Sequence, residues 1–67
     1  MEKKVSIGSK IIYYRTKNGL NQRDFAKIMG ISPPTLRNYE KDRVIPDCEF
    51  IAKLAYLLDL SVDTILN

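Results

Sequence analysis

Apolar residues recur along this chain at helical spacing, and each stripe is bounded by residues that start or stop a helix. Ile7, Ile11 and Tyr14 lie at i, i+4 and i+7, just after Ser6, a good N-cap. They predict a first helix over about residues 7–18, ended by Gly19, with Leu20 as the apolar residue that follows a glycine stop. Phe25, Ala26 and Met29 predict a second helix over 22–29, capped by Asn21 with Asp24 three residues later. Gly30 stops it, because glycine takes the left-handed conformation without a Cβ penalty. Ile31 fills the corner. Ser32 caps a third helix over 33–41, with Pro33 at the first helical position, where its missing N–H costs nothing. Leu36 and Tyr39 carry its apolar face. Residues 42–46 read as a loop, since Pro46 biases its predecessor away from helix. Asp47 caps a fourth helix over 48–58, striped by Ile51, Leu54, Ala55 and Leu58, and Ser61 caps a last one over 62–66 that docks Val62, Ile65 and Leu66. With no strand signal, repeat or linker, the pattern predicts an all-α chain, a compact bundle of five short helices.

The segment from Gln22 to Glu40 carries more than a fold prediction. Two short helices joined by a sharp glycine turn, with a small residue at Ala26 for close crossing, make a helix-turn-helix. The outward positions of its second helix, Thr35, Arg37, Asn38 and Lys41, are hydrogen-bond donors or cations suited to base edges and phosphates.

Composition narrows the choices. No run of about 18 apolar residues offers a membrane span, and the start, MEKKVSIGSK, lacks the apolar core of a signal peptide. A single cysteine, Cys48, and no histidine exclude an internal disulfide, a cysteine- or histidine-based metal site and a histidine-dependent triad. No cofactor is expected, and a reducing cytoplasm fits. Cys48 itself reads as a small buried hydrophobe. The net charge of +3 is split: residues 1–45 hold ten cations against four anions, while 46–67 hold Lys53 against four anions. Such polarity suits a module that presents one end to a polyanion, although a solvated basic surface has the same composition. Residues 1–6 read as a flexible basic arm and 7–67 as one DNA-binding domain.

In order and spacing, Ile11, Arg15, Gly19-Leu20, Gln22, Ala26, Gly30-Ile31-Ser32, Leu36, Glu40, Pro46, Ile51, Leu54-Ala55, Leu58 and Ser61 resemble the phage repressor and Cro family of helix-turn-helix regulators, also called XRE-like. The resemblance spans Ile7 to Leu66. It implies the lambda-repressor-like five-helix fold, a third helix placed in the major groove, and operator binding as a two-fold dimer. It also implies that Asn21 and Gln22 touch phosphate at the start of the second helix, where free N–H groups and the helix dipole favour an anion. Asn21 is equally a plain cap. Arg23 and Ser32 join them as backbone contacts. The loop after the third helix, with Lys41 and Arg43, lies along the DNA backbone in relatives. Arg15 and Glu40 match a pair that bridges the first helix to the end of the third.

Two departures from the family pattern matter. Asp42 stands where glycine is usual, and aspartate takes a left-handed turn at some cost. Pro33 and Pro34 occupy the first turn of the third helix, where relatives place base-reading side chains. Proline offers no donor, so readout shifts to Thr35, Arg37 and Asn38, or to contact of the Pro34 ring with a thymine methyl. Lys3, Lys4 and Lys10 are further backbone candidates, or simply solvated.

The fourth helix is apolar beyond its own stripe, which makes Phe50, Tyr56 and Leu57 dimer-interface candidates, with a richer core under the last helix as the alternative. The leading functional expectation is therefore a transcriptional regulator that binds double-stranded DNA as a homodimer and represses. The alternative is a protein-binding module, such as an antitoxin or the target of a regulatory protein partner, with DNA binding secondary. An enzyme ranks last, since no paired carboxylates in a plausible pocket and no glycine-rich phosphate loop are present.

Overall fold

Each helix begins where a side-chain oxygen can take up an orphan backbone N–H. In the computed structural model, which describes residues 6–66, Ser6 accepts from the Ser9 N–H at 3.1 Å and opens α1 (Ile7–Lys17). Asn21 accepts from Asp24 N–H at 2.7 Å and opens α2 (Gln22–Met29). Ser32 accepts from Thr35 N–H and opens α3 (Pro33–Glu40), with both prolines in its first turn. Asp47 accepts from Phe50 N–H at 2.8 Å for α4 (Cys48–Leu58), and Ser61 from Thr64 N–H at 3.0 Å for α5 (Val62–Leu66). Among the described residues there is no strand.

The carboxyl ends of α1 to α4 share one closure. A residue with positive φ follows each helix, and the next N–H reaches back five residues, as in a Schellman turn. Leu20 donates to the Arg15 carbonyl, Ile31 to Ala26, Arg43 to Asn38 and Leu60 to Ala55, at 2.9–3.1 Å. Gly19 and Gly30 supply the first two left-handed residues, while Asp42 and Asp59 supply the others. The left-handed aspartate expected at residue 42 is therefore present, at φ 58°.

These short connections fold the helices around one core. Ile11, Leu36, Leu54 and Ile65, one each from α1, α3, α4 and α5, are fully buried. Phe25, Ala26 and Met29 bring α2 onto them, and Ile7, Tyr14, Leu20, Ile31 and Leu58 close the edges. Tyr39 and Phe50 meet edge to face, ring centroids 4.9 Å apart, and join α3 to α4. Phe50 is thus a core residue. Its role as a dimer candidate is corrected: the buried stripe of α4 is one residue wider than the sequence pattern implied. Two further corrections concern exposure. Cys48 is exposed rather than buried. Of the three apolar residues expected to dock α5, only Ile65 is buried, while Val62 and Leu66 are exposed.

Candidate nucleic-acid interface

The inner face of α3 is fixed by packing, which sets the orientation of its outer face. Leu36, Tyr39 and Glu40 are buried. Opposite them, Pro34, Arg37 and Lys41 are exposed along one ridge at i, i+3 and i+7, with Thr35 and Asn38 half-buried beside it. The Thr35 hydroxyl is 2.8 Å from that of Ser32, so it is already partnered within the cap. Arg37 and Lys41 on the ridge and Asn38 beside it carry side-chain donors, and of these Arg37 and Asn38 have the shapes that pair with base edges.

Glu40 locks the ridge in place. Its carboxylate accepts from Arg15 Nε at 2.7 Å, Arg15 Nη2 at 3.3 Å and Gln22 Nε2 at 2.8 Å. Arg15 Nη1 also donates to the Leu20 carbonyl at 2.8 Å. The side chains are 12% and 3% exposed, so this is a buried, two-pronged ion pair tying α1, α2 and α3 together. The structural pairing expected of Arg15 and Glu40 is formed. Gln22 is a third member that the sequence did not suggest: its amide nitrogen is committed inward, while its neighbours Asn21 and Arg23 are exposed.

Beyond α3, Lys41 and Arg43 stand exposed on either side of Asp42. The Asp42 carboxylate turns back to α1, where Oδ1 accepts the Gly8 N–H at 2.9 Å. Gly8 is buried and close against the end of α3. A glycine in a first helical turn, where other residues stabilise helix better, was the one sequence signal of this close approach. Lys10 lies elsewhere. Its ammonium donates to the Thr64 and Ile65 carbonyls at 3.4 and 3.2 Å, at the carboxyl end of α5, where a cation is favoured. Lys3 and Lys4 fall outside the described residues, as does the arm expected over 1–6 apart from Ser6.

The α4–α5 side carries apolar surface. Cys48, Ala52 and Tyr56 are exposed at i, i+4 and i+8 along α4, and Tyr56 is 84% exposed. A groove beside this line is formed by Pro46, Cys48, Ile51, Ala52, Val62 and Leu66. Leu57 faces a different groove, with Tyr14, Leu20, Phe25 and Ile28. The expected cluster of Phe50, Tyr56 and Leu57 is therefore divided among core, surface line and second groove. Among the described residues, no helix is long and apolar enough to cross a membrane.

Known proteins share this arrangement. A family model described as helix-turn-helix matches residues 11–65. The HTH-type transcriptional regulator ImmR of Bacillus subtilis (strain 168) is 34% identical over 63 residues, covering 94% of this chain and 50% of ImmR. SinR of Bacillus licheniformis, also an HTH-type transcriptional regulator, is 32% identical over 62 residues, covering 91% of this chain and 56% of SinR. The chain thus spans about half the length of these two relatives. An HTH-type transcriptional regulator of Methanocaldococcus jannaschii is 32% identical over 57 residues, covering 85% of this chain and 86% of that protein. In three dimensions the chain is similar to the P22 c2 repressor protein in complex with synthetic operator 9T, with TM-score 0.85, 25% identity, and coverage of 96% of this chain and 97% of that one. The chain belongs to the helix-turn-helix family of phage repressor and Cro-like regulators, a class of DNA-binding transcription factors and not of enzymes.

Proposed function

We propose that the chain is a sequence-specific DNA-binding repressor that acts as a homodimer on a palindromic operator. The observation that carries this reading is the outward ridge of α3: Arg37 and Asn38 stand on a helix whose inner face is locked by Leu36, Tyr39 and the buried Glu40. A rigid helix with free donors on one side is what base readout in a major groove requires. Arg37 and Asn38 read base edges, while the Thr35 methyl and the Pro34 ring offer apolar contact to a thymine methyl. Asn21, Arg23, Ser32, Lys41 and Arg43 hold phosphates, joined by the backbone N–H of Gln22 at the start of α2, since its side-chain amide is bonded to Glu40. The names of ImmR and SinR, and the operator bound to the P22 c2 repressor, support the same assignment. Residues 7–67 serve as the DNA-binding domain, preceded by the basic arm, and the protein works in the cytoplasm, where its target DNA lies.

The dimer in this reading pairs the Cys48–Ala52–Tyr56 line and the Val62–Leu66 groove with their two-fold copies. Apolar surface at that site is the observation that favours self-association. The second groove, around Tyr14, Ile28 and Leu57, favours an additional reading, in which a regulatory protein partner docks there. Isolation of the protein as a stable heterocomplex with impaired DNA binding would support that alternative.

Selection of bound sequences from a random DNA pool tests the main reading. Enrichment of a palindrome with half-sites about 10 bp apart is expected. Recovery of no common sequence, or of a single unpaired site, refutes a dimeric operator-binding repressor.

A further inference from the structure

We propose that Asp42 is a positioning residue: its carboxylate latches the DNA-facing loop to the start of α1 and so fixes where Lys41 and Arg43 stand. The proposal rests on the reading of α3 and the following loop as the DNA face. Asp42 closes α3 at φ 58°, a conformation that glycine would adopt with less strain. Its Oδ1 accepts the Gly8 N–H at 2.9 Å from 34 residues away. The first turn of α1 has no acidic residue of its own. Asp42 therefore supplies, from the far side of the helix-turn-helix, the negative charge favoured at a helix amino end.

The backbone is built around this contact. A Cβ on residue 8 would stand 2.5 Å from the Glu40 carbonyl oxygen, 2.7 Å from that of Tyr39 and 2.8 Å from Asp42 Oδ1. Only glycine lets the amino end of α1 come this close to the carboxyl end of α3, where the two helix termini meet with opposite partial charges. Asp59 closes α4 at φ 54°, yet among the described residues its side chain makes no comparable bond. The left-handed aspartate at position 42 thus does more than end a helix.

Charge placement points the same way. Asp42 stands between the two cations assigned to phosphate, where an unengaged carboxylate would repel the DNA they attract. Bonded to Gly8, it is directed at α1 instead. A glycine at position 42 would keep the turn and remove a negative charge, but would free the loop that carries Lys41 and Arg43.

The test compares wild type, Asp42→Gly, Asp42→Asn, Lys41→Ala and Arg43→Ala for affinity to the selected duplex across a range of salt, with thermal melts alongside. Asp42→Gly is expected to bind roughly two- to tenfold more weakly, the span of one net hydrogen bond, and with a flatter salt slope. Asp42→Asn is expected to restore affinity, because its amide oxygen can accept the same bond and asparagine tolerates the left-handed turn. Tighter binding by both Asp42 variants would mean the carboxylate acts only as a charge. A lowered melting temperature with unchanged affinity far below it would mean the bond is only structural. Either result overturns the proposal. Unchanged salt slopes in both Lys41→Ala and Arg43→Ala overturn the reading of the DNA face and the proposal with it. Altered slopes there, with Asp42→Gly binding like wild type, overturn the proposal alone.

Discussion

The part of the molecule from Ser6 to Arg43 and the part from Val44 to Leu66 are held together by different means. Both parts have capped helices, but the first is also tied together by directional bonds between helices: Glu40 receives three of them from α1 and α2, and Asp42 reaches α1. The second relies on apolar contact and has more of it than its own core uses. Ile45, Tyr56, Leu57, Val62 and Leu66 all remain exposed, Ile45 by 81%. Hydrogen bonds and ion pairs have fixed geometry, so they suit the part whose outer ridge must keep its position. Apolar burial has no preferred direction, and a surplus of it at a surface suits association with another surface.

The largest effect that can break this contrast lies in the first part. Glu40→Ala leaves the Arg15 guanidinium buried without its partner, and should cost about 3–5 kcal/mol in urea unfolding. That is a large share of the stability a domain of this size has. A cost below about 1 kcal/mol would mean the pair behaves as an exposed one and does not organise the three helices.

In the second part the contrast runs between two aromatic residues six positions apart on α4. Phe50→Ala removes a buried ring packed on Tyr39 and should cost about 3–5 kcal/mol. Leu66→Lys or Val62→Lys, by contrast, should leave a folded protein that sediments as a monomer and binds the operator like a half-site. If wild type and these variants are equally monomeric even with operator bound, the α4–α5 surface is not the dimer contact. Tyr56→Ser carries the smallest expected effect on folding, within about 0.5 kcal/mol, because the ring is almost wholly exposed. A loss as large as that of Phe50→Ala would show that the surface line belongs to the core after all.

What could be read from the sequence follows the same division. Caps and stops are local, settled within three or four residues, so Ser6, Asn21, Ser32, Asp47 and Ser61 marked the helix starts correctly, and Gly19 and Gly30 marked two of the ends. The Arg15–Glu40 pair was legible only through the family resemblance, since nothing in the spacing of residues 25 apart announces a contact. The Gly8–Asp42 bond was not anticipated, because its two residues are joined only by the crossing of α1 and α3. On α4, apolar residues nearly all round defeat the periodicity argument: Phe50 and Tyr56 are alike in chemistry, and only the packing of α3 decides which is buried. Within the candidate DNA face, Arg37 stood out as an exposed donor from the sequence. The inward commitment of Gln22 and of the Thr35 hydroxyl depends on side-chain geometry that spacing does not determine.

The central claim, that α3 reads bases through Arg37 and Asn38, is tested most directly by measuring Arg37→Ala and Asn38→Ala against operator and scrambled duplexes at one salt concentration. Each variant is expected to lose roughly 1–3 kcal/mol on the operator and little on the scrambled duplex. Equal losses on both duplexes would show that these side chains hold phosphate only, and would contradict the assignment of sequence readout to this helix face.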